Sequence, residues 1–419
     1  MAKIRQISSR QILNAKGEPT IETTVILNDG SYGIASVPTG TSVGQYEAVD
    51  LRDNDEMHFQ GKGVLNAISN IDKIIAPALL GMEASKQQDV DKKMIELDGT
   101  QNKGKLGANA ILSVSMATAK AAARSSVLPL FIYLREFIKS ENTTLKIPTP
   151  LFNILNGGKH ASGNVNFQEF MVIPASSVPY SDALSMGDSI YFSLKKILEE
   201  DNFIPLLGDE GGFGPTLSGN QEALEYLAKA IQALNLRKGF DVFMGIDAAA
   251  TNFHSQQNYR IKDKAVDLSS KDLISFYATL SQTYPLLYLE DPLAEDDWDG
   301  WTQCTTTISK QILIVGDDLT ATNPYRLQMA LNKKAITGII IKPNQIGTVM
   351  ESLAVVEIAR QSGLKIIVSH RSGETNDDFI ADFAVAASAD YVKFGAPARG
   401  ERVAKYNRLL QIEQQLKKL

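Results

Sequence analysis

Val242-Phe243-Met244-Gly245-Ile246-Asp247 opens a stretch, reaching to Gly395, in which short apolar runs stop on a charged residue or a histidine. Five further runs follow this pattern: Leu286-Leu287-Tyr288-Leu289 before Glu290, Ile312-Leu313-Ile314-Val315-Gly316 before Asp317, Ile339-Ile340-Ile341 before Lys342, Ile366-Ile367-Val368-Ser369 before His370, and Tyr391-Val392 before Lys393. Segments with helical spacing separate the runs. The repeat of strand, polar residue and helix predicts a parallel (β/α) barrel that carries its chemistry at the C-terminal ends of the strands.

The strand-end carboxylates Asp247, Glu290 and Asp317 indicate a divalent metal site. For any one of them, a strand-end cap or a solvated turn is the simpler explanation. Together, three carboxylates, two lysines and a histidine in one barrel mouth would repel one another or lose hydration energy unless a polyvalent ion organised them. Oxygen ligands without a nearby cysteine favour Mg²⁺ or Mn²⁺ over zinc, and three protein ligands leave coordination positions open to substrate.

Lys342 would lie in the same barrel mouth and is a candidate general base. We expect nearby cations to lower the pKa of Lys342 below its usual value of about 10.4, which makes the neutral amine available. A base beside a metal that binds a carboxylate indicates removal of a proton next to that carboxylate. The metal charge would stabilise the resulting ene-diolate.

The 419-residue chain is longer than a barrel of about 250 residues, which predicts one additional domain. Alternating polar and apolar residues over 4–34, with a turn at Asn28-Asp29-Gly30, predict an antiparallel meander, and helical spacing follows over 64–138. We therefore expect an α+β domain over residues 1–138 and the barrel over residues 139–419. Amphipathic segments are expected to form its outer helices at 270–284, 323–335, 348–362, 376–387 and 402–419.

The composition of the chain argues against nucleic-acid binding, disulfide bonding and membrane insertion. The net charge is −6 with acids and bases interspersed, so nothing indicates a nucleic-acid partner. The single cysteine, Cys304, leaves no pair for an internal disulfide and fits a reducing compartment. No segment approaches the roughly 20 apolar residues of a membrane helix. We expect a cytoplasmic protein with no membrane partner.

Polar segments outside the six runs also suggest functional loops. A glycine-rich loop ends on His160, and Gln168-Glu169 directly precedes another apolar run. Asp209-Glu210 is flanked by glycines, which let the backbone direct one carboxylate into a cleft, although an exposed acidic turn is the alternative. The small, hydroxylated residues of 38–44 are typical of a mobile lid or of a plain linker.

Seven segments together resemble the enolase family, over nearly the whole chain. They are 153–160, Gln168-Glu169-Phe170-Met171, Gly208-Asp209-Glu210-Gly211-Gly212, Leu289-Glu290-Asp291-Pro292, Asp317-Asp318-Leu319-Thr320, 342–348, and Ser369-His370-Arg371-Ser372-Gly373-Glu374-Thr375. The resemblance implies an N-terminal α+β domain followed by an enolase-type (β/α)8 barrel. It also implies a glycolytic hydro-lyase that reversibly converts 2-phosphoglycerate to phosphoenolpyruvate, binds two Mg²⁺ ions and forms dimers or octamers.

The resemblance also implies a role for each matching residue. The metal ligands would be Asp247, Glu290 and Asp317, with Ser42 of the mobile loop for the second ion. The catalytic residues would be Lys342 as the base for the C2 proton, Glu210 as the acid for the C3 hydroxyl, Glu169 beside it, and His370. The substrate-binding residues would be Arg371 and Ser372 at the phosphate, together with His160, Gln168, Glu169, Lys342 and Lys393.

Several positions depart from the family pattern, and two alternatives stay open. Residues 14–19, Thr39, Thr41 and Phe394 differ from the residues that are usual there, which puts subunit contacts and lid behaviour in doubt. One alternative is another enolase-superfamily enzyme, an acid-sugar dehydratase or racemase, which would lack phosphate-binding residues such as Arg371 and Ser372. The other is a surface or assembly role for the same scaffold, with Lys417-Lys418 as a binding feature, although a solvated helix end explains these lysines more simply.

Overall fold

The computed structural model describes residues 2–40, 44–139 and 144–418. The chain begins with a three-stranded antiparallel sheet in the order β1-β2-β3, which confirms the predicted meander. Its strands are β1 Ile4–Leu13, β2 Pro19–Leu27 and β3 Tyr32–Ser36. The Gly30 N–H donates to the Leu27 carbonyl oxygen at 3.1 Å, so the predicted turn joins β2 to β3.

Helices cover one face of this sheet. They are α1 Leu65–Asn70, α2 Ala76–Leu79, α3 Gln87–Asp98, α4 Ala108–Ser125 and α5 Leu130–Arg135, with a π-helical turn at Ile71–Ile75. Helix α4 is rich in alanine and serine and packs closely on β3. A Cβ atom at Gly33 would lie only 2.1 Å from the Ala117 carbonyl oxygen, so the small residues allow helix and sheet backbones to approach.

The remainder of the chain forms a closed eight-stranded barrel, as predicted. Its strands are β4 Thr149–Asn156, β5 Glu169–Pro174, β6 Val242–Asp247, β9 Leu286–Glu290, β10 Leu313–Gly316, β11 Gly338–Ile341, β12 Lys365–Ser369 and β13 Tyr391–Lys393, and a small hairpin, β7 His254–Ser255 and β8 Asn258–Tyr259, lies outside it. Around the ring the order is β10-β11-β12-β13-β4-β5-β6-β9.

One barrel strand departs from the expected parallel arrangement. Strand β5 pairs antiparallel with both β4 and β6. The connection from β4 to β5 contains only the single 3₁₀ turn Gly158–Ala161, whereas a parallel strand needs a long crossover, usually a helix. The reversal brings the start of β5, at Glu169, to the rim where the parallel strands end.

Helices surround the barrel. They are α6 Tyr180–Glu200, α7 Asn220–Ala233, α8 Ser270–Thr283, α9 Trp298–Ile308, α10 Pro324–Lys333, α11 Pro343–Ile346, α12 Val349–Gln361, α13 Phe379–Ala386 and α14 Gly400–Leu416. The five helices predicted from amphipathic spacing correspond to α8, α10, α12, α13 and α14. Side chains cap several of them: Ser269 forms a capping box with Asp272 at α8, and Thr348 accepts from the Glu351 N–H at α12. None of the helices within the described ranges combines the length and the apolar character needed to cross a membrane.

The barrel interior is filled by apolar side chains below the polar rim. This inner cluster consists of Leu151, Met171, Ile173, Tyr288, Val315, Ile340 and Ile367, all essentially buried. Alternate residues of each strand face outward and join the helix layer. Because packed side chains fill the interior, space for a ligand is left at the rim.

Candidate active site

The predicted strand-end residues converge on one pocket with about 490 Å³ of empty volume. It is lined by Glu47, His160, Gln168, Glu169, Glu210, Asp247, Ala249, Asn252, Asp291, Asp317, Asp318, Lys342, Ser369, His370, Arg371, Ser372 and Lys393. Glu290 is fully buried directly behind this surface. Ser42 lies outside the described residues. Thr39, three residues earlier, is held against the barrel, because Thr39 and Gly373 exchange two backbone hydrogen bonds of 2.9 Å.

Lys393 lies in the middle of three carboxylates. Its Nζ atom is 3.0 Å from Asp247 Oδ2, 2.9 Å from Glu290 Oε1 and 3.2 Å from Glu169 Oε1. Burial works against the charge of this lysine, but the carboxylates raise the pKa of Lys393 well above its usual value. Strand register explains the cluster, because Asp247 is paired with Glu290 on one side and with Glu169 on the other.

The acids at the ends of β6, β9 and β10 supply carboxylate oxygens, the donor type that a divalent cation of the Mg²⁺ class prefers. Burial, and then repulsion from Asp247, raise the pKa of Glu290 to about 8. Burial and repulsion from Asp317 likewise raise the pKa of Asp318 to about 7. Carboxylates in such surroundings are costly to ionise, and a bound cation would relieve that cost with the hard oxygen ligands that Mg²⁺ and Mn²⁺ prefer.

Two groups within the described residues have ligand atoms within 4.8 Å of one another: His160, Glu169 and Glu210, and Asp291, Asp317 and Asp318. The side chain of Asp291 is already engaged, since it accepts from the backbone N–H groups of Asp317 at 3.0 Å and of Asp318 at 2.8 Å. Asp291 therefore holds the turn that presents Asp317. Through these backbone hydrogen bonds, Asp291 stabilises the position of Asp317, one of the predicted metal ligands.

Lys342 forms an ion pair with one of the strand-end carboxylates. Its Nζ atom donates a hydrogen bond to Asp317 Oδ2. Burial lowers the pKa of Lys342, and so do the cations of Arg371 and Lys393, but the carboxylate of Asp317 outweighs them and the pKa is raised. From the sequence we expected nearby cations, one or two divalent ions among them, to lower this pKa, and that expectation for the metal-loaded site stays a prediction. Among the protein's own groups, the ion pair with Asp317 dominates. For Lys342 to act as a base, Asp317 has to be neutralised by another partner.

Glu169 and Glu210 form an acid pair beside two histidines. Asn153 Nδ2 donates to Glu210 Oε2 at 3.1 Å, and His370 Nε2 lies 3.1 Å from the same oxygen. His160 Nδ1 lies 3.7 Å from Glu169 and 3.8 Å from Glu210. Burial and repulsion from Glu210 raise the pKa of Glu169 well above its usual value, whereas the imidazoles, chiefly His370, outweigh burial and lower the pKa of Glu210. The surroundings therefore favour the protonated form of Glu169 over that of Glu210.

Arg371 lies on the barrel side of the pocket, against the N-terminal domain. Its Nη1 and Nη2 atoms donate to Glu47 at 2.8 and 3.2 Å, and Nη1 also donates to Asn344 Oδ1 at 3.3 Å. Ser372 is buried next to it in the pocket wall. On the other side of the pocket, Gln168 Nε2 donates to Asp247 Oδ2 at 3.4 Å.

Sequence reasoning missed several residues that shape the pocket, among them Glu47, Asn153 and Gln345. Gln345 Nε2 donates to Asp317 Oδ1 at 3.1 Å and lies 3.4 Å from Glu47 Oε1, so it links the predicted metal ligand to the partner of Arg371. Asn153 and Gln345 lie within segments that resemble the family, which was the available signal. Glu47 lies in an N-terminal loop that carried no comparable signal.

Two family models match the chain. Residues 4–134 match the enolase N-terminal domain, and residues 144–419 match the enolase C-terminal TIM barrel domain. The matches, with the barrel and its acid-lined pocket, identify an enolase-superfamily enzyme that acts on a small molecule with a divalent metal ion. The chain belongs to the enolase family.

Proposed function

We propose that the protein is a glycolytic hydro-lyase that reversibly dehydrates 2-phosphoglycerate to phosphoenolpyruvate. The observation that carries this proposal is the position of Lys342 relative to Glu169 and Glu210. In the ring order β11-β12-β13-β4-β5, the strand before Lys342 and the strand that begins at Glu169 are four places apart in a ring of eight, and so face each other. A base and an acid on opposite sides of one pocket suit removal of a proton and a hydroxyl group from neighbouring carbons.

In this proposal Lys342 takes the C2 proton once Asp317 is neutralised. Glu210, with Glu169 beside it, delivers a proton to the departing C3 hydroxyl. The raised pKa of Glu169 supports an acid role for the pair, because it favours a protonated carboxyl group directly beside Glu210. His370 contacts Glu210 and orients it.

Charged and polar residues of the pocket would hold the substrate. Arg371 and Ser372 bind the phosphate, since a guanidinium suits bidentate contact with phosphate oxygens. The other proposed substrate contacts come from His160, Gln168, Glu169, Lys342 and Lys393. An acid sugar carries no phosphate group for Arg371 and Ser372 to bind, which is why the phosphate ester is the preferred substrate class.

Two Mg²⁺ ions are part of the proposal. Asp247, Glu290 and Asp317 would hold the first, and Ser42 would contribute to the second. When bound, the ions would supply positive charge that stabilises the negative charge formed as the C2 proton leaves. The raised pKa of Glu290 supports the first site.

The proposal also covers the organisation of the protein. We place the domain boundary between residues 138 and 139, and we propose a cytoplasmic homo-oligomer, a dimer or an octamer, with no nucleic-acid or membrane partner. The resemblance to the family supports the oligomer, and the single cysteine supports a reducing compartment.

The direct test is ultraviolet absorbance at the phosphoenolpyruvate band after addition of 2-phosphoglycerate, with and without Mg²⁺. We expect absorbance to rise only with Mg²⁺ and to stay flat for Lys342→Ala. No rise with Mg²⁺, together with dehydration or racemisation of an acid sugar, would assign the chain to the other superfamily reactions.

A further inference from the structure

Arg402 is a fully buried cation that lies outside the pocket lining. It is the third residue of α14, and its side chain has no exposed surface. An unpaired guanidinium at such a place would be very costly, so its donors need acceptors. Nε makes no hydrogen bond within the described residues and lies 3.5 Å from Glu401 Oε1, whereas both Nη atoms have close acceptors. The acceptors show what the residue does.

The acceptors of Arg402 belong to two segments. One carries the proposed acid Glu210, and the other carries the proposed phosphate-binding residues Arg371 and Ser372. Nη1 lies 2.6 Å from His370 Nδ1 and donates to the Arg371 carbonyl oxygen at 2.6 Å. Nη2 donates to the Ser372 carbonyl oxygen at 2.6 Å and to the Asp209 carbonyl oxygen at 3.3 Å. One side chain thus joins the backbone before Glu210 to the backbone of residues 371 and 372.

The contact with His370 also fixes the position of a proton. A guanidinium can donate hydrogen bonds but cannot accept them, so Nδ1 of His370 has to be the acceptor and carries no proton. The ring proton of the neutral imidazole is then on Nε2, which lies 3.1 Å from Glu210 Oε2. Burial, and the nearby Arg402 cation, lower the pKa of His370 to about 3, so the ring is neutral at physiological pH.

We infer that Arg402 is a positioning residue that holds His370 in its Nε2–H tautomer, places that N–H beside Glu210, and fixes the proposed acid relative to the proposed phosphate-binding residues Arg371 and Ser372. The catalytic part of this inference rests on the proposed function. The tautomer does not, because it follows from the contact between two side chains.

A purely structural role for Arg402 makes a different prediction. A cation that only filled the space beneath the pocket would affect stability when replaced, but the histidine tautomer would not depend on it. The tautomer therefore separates the two roles, and it can be read without any substrate.

The test uses ¹⁵N-histidine-labelled protein and NMR correlation spectra of the ring nitrogens. The chain has four histidines, so loss of one signal set in His370→Gln assigns the residue. In the unaltered protein we expect the pattern of a neutral Nε2–H ring for His370. A neutral Nδ1–H ring, or a doubly protonated ring, would overturn the inference without any variant having to fold.

Arg402→Met is expected to release His370 into a mixture of tautomers. The matched control is Arg408→Met on the same helix, because Arg408 makes a two-point contact with Asp382, both distances being 2.7 Å, outside the pocket. We expect Arg402→Met to lower kcat by about 100-fold, the scale of losing an oriented acid–base group, with a much smaller change in KM. Arg408→Met should keep both the tautomer and kcat.

The outcomes separate this inference from the proposed function. If the unaltered protein converts 2-phosphoglycerate but Arg402→Met keeps the Nε2–H tautomer and its kcat, the inference fails and the proposed function stands. If the unaltered protein does not convert 2-phosphoglycerate, the proposed function fails, and the spectra still decide whether Arg402 sets the tautomer.

Discussion

The guanidinium of Arg371 makes a two-point contact with the carboxylate of Glu47, at 2.8 and 3.2 Å, across 324 residues of sequence. Both side chains are about 95% buried. The contact connects the N-terminal domain to the residue proposed to hold the substrate phosphate. A carboxylate thus occupies the face of Arg371 that would otherwise attract an anion.

Glu47→Gln should make the fold less stable and the pocket more responsive to phosphate. Removing one partner of a buried ion pair costs about 3–5 kcal/mol, because the remaining charge is left buried. Inorganic phosphate can restore the missing negative charge, so it should raise the melting temperature of the variant more than that of the unaltered protein. Differential scanning fluorimetry across a phosphate titration measures both effects.

The control for this experiment is Glu22→Gln. Glu22 pairs with Arg10, whose side chain is 74% exposed, and exposed pairs contribute at most about 1 kcal/mol. Equal phosphate responses in Glu47→Gln and the unaltered protein would show that Glu47 does not compete for Arg371.

Asp247→Asn, Glu290→Gln and Asp317→Asn should each weaken Mg²⁺ binding and abolish turnover while the fold is retained. Each substitution keeps the shape of the side chain but removes the charge that the cation needs. We expect at least about 100-fold weaker binding by isothermal titration calorimetry. Asp267→Asn, at an exposed site, is the control. Unchanged Mg²⁺ affinity in any of the three would remove that residue from the metal site.

Lys342→Ala and Glu210→Gln should separate the two proton transfers. Without the Lys342 amine, the C2 proton of 2-phosphoglycerate should no longer exchange with deuterated solvent. Glu210→Gln should retain part of this exchange and still fail to form phosphoenolpyruvate, because only the departing hydroxyl lacks its proton donor. Proton NMR of the substrate follows the exchange, and Lys310→Ala, an exposed lysine, serves as control. Loss of exchange in both variants would mean that the two roles are not divided in this way.

The strand-end residues of the site were predictable because each lies directly beside the apolar run that forms its strand, so a short stretch of sequence is enough to place it. Asp247, Glu290 and Lys342 each follow directly after an apolar run or end it, and a parallel barrel strand places such residues at one rim. The antiparallel β5 was not predictable in this way. An apolar run has the same composition in either direction, and only the short connection before it indicates the reversal.

Residues that act across long sequence separations were missed for a different reason. Glu47 and Arg402 contact Arg371 and His370 through tertiary packing, and neither lies at a strand end. Their neighbours in sequence contain no periodic pattern that differs from an ordinary loop or helix. The ion pair of Lys342 with Asp317 was missed likewise, because it depends on the three-dimensional contact between the two side chains and not on the types of residue present.

Asp91→Asn should reduce the pH dependence of stability. Asp91 is buried between the domains, where it accepts from Gln87 Nε2 at 2.9 Å and from the Met350 N–H of α12 at 3.0 Å. Burial raises its pKa from 3.8 to about 7. The folded protein therefore binds this proton more tightly than the unfolded chain does. The stability that results is fully present below about pH 4 and is lost as the pH rises through about 7.

The loss that Asp91 causes between these pH values is at most about 4 kcal/mol. Urea unfolding at pH 5 and pH 8 should give a smaller difference for Asp91→Asn than for the unaltered protein. Asp89→Asn, an exposed residue of the same helix, should behave like the unaltered protein. An unchanged difference in Asp91→Asn would show that other groups set the pH dependence.

Gly40→Ala should damage phosphate binding, whereas Gly44→Ala should be tolerated. A Cβ atom at residue 40 would lie 1.8 Å from Arg371 Nη2, and the paired backbone of Thr39 and Gly373 prevents the loop from moving away. At Gly44 the nearest atoms to an added Cβ are 3.6 Å away, an ordinary contact. The collision would displace the guanidinium, and loss of its charged contacts should raise the KM for 2-phosphoglycerate about 10- to 100-fold.

Steady-state kinetics of both variants decides between two explanations for these glycines. If the KM rises only in Gly40→Ala, the glycine is needed for the close approach of Arg371. Equal impairment of both variants would instead indicate that the segment flanking Ser42 needs flexible ends.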